Sequence, residues 1–141
     1  MKAPSNKIKI VIADDSPEFI EGLKVLFSTS PKYEILDVAS NGLELLESSH
    51  LYEADLALID IEMPIMNGFE VAKRIGFKYS SIMLIAITMY LDKAYLRDII
   101  EAGFKAFIHK PLVSDQLFEV IDQVLSNNYV FPGNLRIELN N

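Results

Sequence analysis

Leu56-Ala57-Leu58-Ile59-Asp60-Ile61-Glu62-Met63-Pro64-Ile65-Met66-Asn67-Gly68 decides how this sequence folds. Four apolar residues in a row suit a strand buried on both faces, as in a parallel sheet. The run ends abruptly in Asp60, and Pro64 and Asn67-Gly68 then break the chain. An acid at the end of such a strand faces the crevice in which open α/β sheets bind ligands. Taken alone, Asp60 also reads as an ordinary turn residue. The rest of the chain decides between these readings.

Working outward, residues 7–13 (KIKIVIA) form a β-branched first strand, stopped by Asp14-Asp15-Ser16-Pro17. Ser16 is a natural helix cap and Pro17 fits the first helical position. Phe19, Ile20, Leu23, Leu26 and Phe27 follow at helical spacing. Residues 33–39 (YEILDVA) read as a second strand, and Asn41-Gly42 opens a short helix ending near His50. Beyond Gly68, Phe69, Val71, Ala72 and Ile75 mark a third helix, and residues 82–87 (IMLIAI) a strand ending at Thr88. Residues 94–102 are helical, with Gly103 closing the helix. Residues 106–109 make a short fifth strand, stopped by Lys110-Pro111, and Ser114 is expected to cap a last helix. Five strands alternating with five helices imply an α/β doubly wound parallel sheet.

Composition bounds what such a domain does. A chain of 141 residues, half of them hydrophobic, builds one sizeable core. With no cysteine, thiolate metal sites and thiol nucleophiles are excluded. No apolar run approaches the roughly 20 residues of a membrane span, and no signal peptide is visible, so a cytoplasmic, membrane-free location is expected. The net charge of −7 argues against holding nucleic acid by phosphate contacts alone and permits a cation site or a basic partner. His50 and His109 lack metal-ligand spacing and read as structural.

In a parallel sheet the carboxyl ends of all strands share one edge. The first strand brings Asp14 and Asp15 there, the third Asp60, the fourth Thr88 and the fifth Lys110. Each has a plain explanation alone, as a cap, a turn residue or a solvated lysine. Together they pose an electrostatic problem, because carboxylates about 4 Å apart repel by about 4 kcal/mol at a surface-like dielectric. A hard divalent cation such as Mg²⁺ offsets this, and so does Lys110. An aspartate beside Mg²⁺, a lysine and a hydroxyl is equipped to accept a phosphoryl group as an acyl phosphate. The Asp14-Asp15 loop would repel the phosphate of a flavin nucleotide. Asp60-Ile61-Glu62 lies too far along the chain for an Asp-x-Asp phosphatase, and no P-loop motif is present.

With these pieces assembled, residues 7–126 resemble the receiver domain of a two-component response regulator. The resemblance rests on VIADDSP, LALIDIEMPIMNGFE, IAIT and EAGFKAFIHKP in this order, with 28 positions from 60 to 88 and 22 from 88 to 110. It implies a flavodoxin-like sheet of order 2-1-3-4-5. It implies that Asp60 takes phosphoryl from a sensor histidine kinase. Asp15, Asp60 and the backbone carbonyl of Glu62 would then ligate Mg²⁺, with Asp14 acting through water. Lys110 would pair with phospho-Asp60, and Thr88 would bind a phosphoryl oxygen. Phe107 occupies the place of a switch aromatic, here lacking a hydroxyl, and the Lys110–Pro111 bond is expected to be cis.

Glu62 and Tyr90, two places beyond Asp60 and Thr88, are expected to slow attack by water on the phosphoryl group. Met89 stands where a small residue is usual. The fourth helix, fifth strand and fifth helix are the expected readout surface, and Leu91, Tyr95 and Phe118 read either as its exposed members or as ordinary half-buried residues. The resemblance further implies self-catalysed phosphotransfer without a classical enzyme activity, and a phosphorylation-dependent homodimer. Residues 127–141 (NNYVFPGNLRIELNN) read as a polar tail or a linker stub, and resemble the linker to a DNA-binding output domain, through which alone DNA would be contacted. The alternative is a stand-alone receiver that binds a target protein.

Overall fold

A computed structural model of the chain describes residues 6–89 and 92–131. It contains β1 (Ile8–Ala13), α1 (Pro17–Ser28), β2 (Tyr33–Ala39), α2 (Gly42–Leu46), β3 (Leu56–Asp60) and α3 (Gly68–Lys78), followed by β4 (Met83–Thr88), α4 (Lys93–Glu101), β5 (Ala106–His109) and α5 (Val113–Leu125). The five strands form one sheet in the order β2-β1-β3-β4-β5, and every pairing is parallel. This is the doubly wound, flavodoxin-like arrangement expected. Among the described residues, no helix is long and apolar enough to cross a membrane.

Alternation along the strands builds two cores. Ile10, Ile12, Leu56, Leu58, Ile85 and Ile87 face one side, with residues of α1 and α5. Val11, Ala13, Ala57, Ile59, Leu84 and Ala86 face the other, with residues of α2, α3 and α4. Both faces of β3 are thus covered, which is why its sequence is continuously apolar rather than alternating. Each fully buried leucine or isoleucine here contributes roughly 1.5–3 kcal/mol.

Four local expectations are corrected or decided. The helix α5 begins at Val113 and has no side-chain cap, because a 3-10 turn over Lys110–Leu112 feeds straight into it; Ser114 lies inside the helix. No described peptide bond is cis, so Lys110–Pro111 is trans. Of the two readings of Phe118, half-buried is the one that holds. It packs between α1 and β2, stacked on Tyr33 at 5.0 Å and tilted against Phe27 at 5.9 Å. The stretch after α5 is not merely a polar tail. Val130 bridges Ala106 in parallel register, its N–H donating to Lys105 O (2.9 Å) and its carbonyl accepting from Phe107 N–H (3.1 Å). Phe131 packs against the core cluster that holds Phe107. Tyr90 and Leu91 lie outside the described residues.

Candidate functional site

The first acidic loop is shaped by its own hydrogen bonds. Asp14 Oδ1 accepts from the Ser16 N–H (2.8 Å), and Ser16 Oγ accepts from the Phe19 N–H (3.2 Å), so Ser16 caps α1. This ties the strand end to the first helical turn. Asp14 is buried, whereas Asp15 is exposed.

The second loop depends on a close approach. Gly68 opens α3 and donates its N–H to Ile61 O (2.9 Å). A Cβ at Gly68 would lie 2.5 Å from the Asp60 carbonyl oxygen, so only glycine lets α3 begin against the end of β3. Asn67 caps the same helix by accepting from the Glu70 N–H (3.0 Å). Just ahead of them Ile65 is held at φ +70°, a left-handed conformation that a β-branched residue strongly resists.

At the shared edge, carboxylate oxygens of Asp14, Asp15 and Asp60 lie within 4.8 Å of one another. Lys110 Nζ is 2.9 Å from Asp14 Oδ2 and 3.5 Å from Asp60 Oδ2. Asp14 Oδ2 is buried and lacks a well-aligned hydrogen bond, so the ammonium serves as its counter-charge. Asp60 is only 4% exposed, and Glu62 N–H reaches its Oδ1 at a long 3.4 Å. Burial first, then the charge of Asp14, push its carboxyl up to about 7, against the opposing pull of Lys110. A group of hard oxygen donors with unrelieved mutual repulsion fits a divalent cation such as Mg²⁺.

Thr88 ends β4 and is fully buried. Strand alternation puts it on the same face as Ala86, whose register partner is Phe107. The ring of Phe107 is buried in the core on that face. Asp14, Asp15, Asp60 and Lys110 are thus brought into direct proximity, and Thr88 ends the strand next to β3 with Phe107 behind it on the same face.

Tyr95, His109 and Phe19 make contacts that were not read from the sequence. The hydroxyl of Tyr95 in α4 donates to the Glu62 carboxylate, while the Tyr95 ring meets Phe69 edge-on at 5.2 Å. Tyr95 is therefore half-buried against α3 rather than a free surface residue. His109 Nε2 lies 3.2 Å from Met89 O, which ties the end of β5 to the loop after β4. The ring of Phe19 lies under Lys110, with Nζ 4.6 Å from its centroid. Its spacing marked Phe19 only as a core position; the faint signal was an aromatic one turn beyond the acidic pair.

Residues 10–122 match the family described as response regulator receiver domain. The transcriptional regulatory protein DegU of Brevibacillus brevis is 29% identical over 128 residues, covering 90% of this chain and 54% of that protein. LnrK of Bacillus subtilis (strain 168), also a transcriptional regulatory protein, is 31% identical over 134 residues, covering 95% and 61% respectively. This chain thus spans between half and two thirds of the length of these curated relatives. A LuxR-family two-component response regulator from Aurantimonas sp. SI85-9A1 shares the fold with a TM-score of 0.84 at 21% identity, over 92% of both chains.

Proposed function

This chain belongs to the response regulator receiver family, and from that premise we propose that Asp60 is its Mg²⁺-dependent phosphoacceptor. The observation that carries the reading is the gathering of three carboxylates within 4.8 Å, with Lys110 at 3.5 Å from Asp60. A carboxylate oxygen of Asp60 attacks the phosphorus of a phosphohistidine on a sensor histidine kinase. The P–N bond breaks, and the imidazole leaves with its electron pair. Asp15, Asp60 and the Glu62 carbonyl are the proposed Mg²⁺ ligands, with Asp14 acting through water. When bound, the ion neutralises charge on the transferring group. Lys110 shifts from Asp14 toward the new phosphoryl oxygens, and the Thr88 hydroxyl donates to another.

Thr88 and Phe107 then share the switch, because they lie on one face of adjacent strands. Phe107 lacks a hydroxyl, so its part is packing alone. The phosphoryl group biases a two-state equilibrium that already exists in the domain. Glu62 shields the phosphoryl from water; the part assigned to Tyr90 rests on its sequence position. The receiver proper runs over residues 7–126, with 127–141 as a connecting segment. The names of the relatives favour a transcriptional regulator; a cytoplasmic location, an output domain that contacts DNA and a phosphorylation-dependent homodimer are further parts of the proposal.

The test is incubation with Mg²⁺ and acetyl phosphate followed by intact-mass measurement. The native chain is expected to gain one phosphoryl group, and Asp60→Asn none. Equal labelling of both chains, or of neither, overturns the assignment.

A further inference from the structure

We propose that Phe19 is a positioning residue for phosphoryl transfer, holding the Lys110 ammonium over Asp60 through the face of its ring. The proposal rests on the phosphoacceptor reading of Asp60 and adds a residue outside the acidic and lysine set.

Lys110 has three neighbours of different character. Asp14 lies at 2.9 Å, Asp60 at 3.5 Å, and the Phe19 ring centroid at 4.6 Å from Nζ. The lysine side chain is only 13% exposed, so the ammonium has lost most of its water. A cation in that state gains from an aromatic face, whose quadrupole is negative. The ring attracts without neutralising. A third carboxylate at this point would cancel the charge that the incoming phosphoryl needs. A ring leaves that charge whole.

The ring is also held from behind. Phe19 N–H donates to Ser16 Oγ at 3.2 Å, and Ser16 N–H donates to Asp14 Oδ1 at 2.8 Å. Phe19 and Asp14 therefore belong to one hydrogen-bonded turn, and both touch the same ammonium. Pro111 follows the lysine directly in the chain and restricts the backbone there. Phe19 and Pro111, with Met89 and Ser16, line an open cleft of about 530 Å³ that Lys110 also borders. The plainer role for Phe19 is packing, since it lies against the α1–α5 core. A leucine would preserve that packing and remove the aromatic face.

The experiment follows the rate of labelling by acetyl phosphate with Mg²⁺ in native chain, Phe19→Leu, Phe19→Tyr and chains carrying ring-fluorinated phenylalanines at position 19. The cation–π contribution predicts a rate lower by roughly 2- to 30-fold in Phe19→Leu. It also predicts recovery in Phe19→Tyr and a graded loss of rate with fluorination. In a Lys110→Ala background, Phe19→Leu is expected to have no further effect, since the two residues act as one unit. A rate indifferent to fluorination, or an equal effect of Phe19→Leu with and without Lys110, overturns the positioning role. A native chain that takes no label at all defeats the phosphoacceptor reading itself, an outcome distinct from the others.

Discussion

The ammonium of Lys110 lies closer to Asp14 than to Asp60, at 2.9 Å against 3.5 Å. Asp14 is therefore the principal counter-ion in the unphosphorylated domain, and Asp60 is left buried and under-compensated. The raised carboxyl of Asp60 follows from this, with burial the largest cause and Asp14 the next. Asp14→Asn removes a repelling charge and releases Lys110 toward Asp60, so the Asp60 carboxyl should titrate clearly below 7. Carboxyl-carbon NMR titration in metal-free buffer measures it. An unchanged midpoint would show that Asp14 has no part in the shift.

The same group makes stability depend on pH. Its folded value of about 7 exceeds the ordinary 3.8. Between those values the folded chain holds a proton that the unfolded chain has released, so stability falls as pH rises through the window and levels off above it. Denaturant unfolding in chelator at about pH 5 and about pH 8 should show the native chain losing more stability than Asp60→Asn. Added Mg²⁺ should stabilise the native chain more at the higher pH, where the carboxylate is free to bind it. Parallel profiles for the two chains would count against this account.

Ile65 sits at φ +70° and is 76% exposed, so its side chain returns little for the strain it carries. Asparagine tolerates that backbone region. Ile65→Asn should raise unfolding stability by about 1 kcal/mol, the usual scale of left-handed strain in an L-residue. A drop in stability would mean that the isoleucine makes contacts worth more than the strain.

Glu62 accepts a hydrogen bond from the Tyr95 hydroxyl, which anchors its carboxylate beside the loop that follows Asp60. Glu62→Ala should shorten the lifetime of phospho-Asp60 several-fold. Tyr95→Phe, which leaves the carboxylate in place but unanchored, should shorten it less. Decay of labelled protein after removal of the phosphodonor measures both, and identical lifetimes in all three chains would remove Glu62 from this role.

Much of this was legible in the sequence. The strands announced themselves because parallel strands are buried on both faces, as residues 56–59 and 82–87 are. Once the sheet was parallel, Asp14, Asp60, Thr88 and Lys110 had to meet at one edge. What escaped was set by tertiary packing. Ser114 looked like a cap, but the turn through Lys110–Leu112 already started the helix. Phe118 stayed open between surface and half-buried because its partners, Phe27 and Tyr33, lie more than 80 positions away. The Tyr95–Glu62 pair spans 33 positions and follows no local spacing rule. Val130 escaped because its link to β5 is made by backbone groups, which every residue except proline offers alike.

That link has a mechanical meaning. Phe107 points its ring into the core behind Thr88 while its amide is fastened to Val130. The backbone at Val130 is thus fastened directly to β5. The link is a splice between two stretches of backbone, and a shift of β5 would carry Val130 along with it.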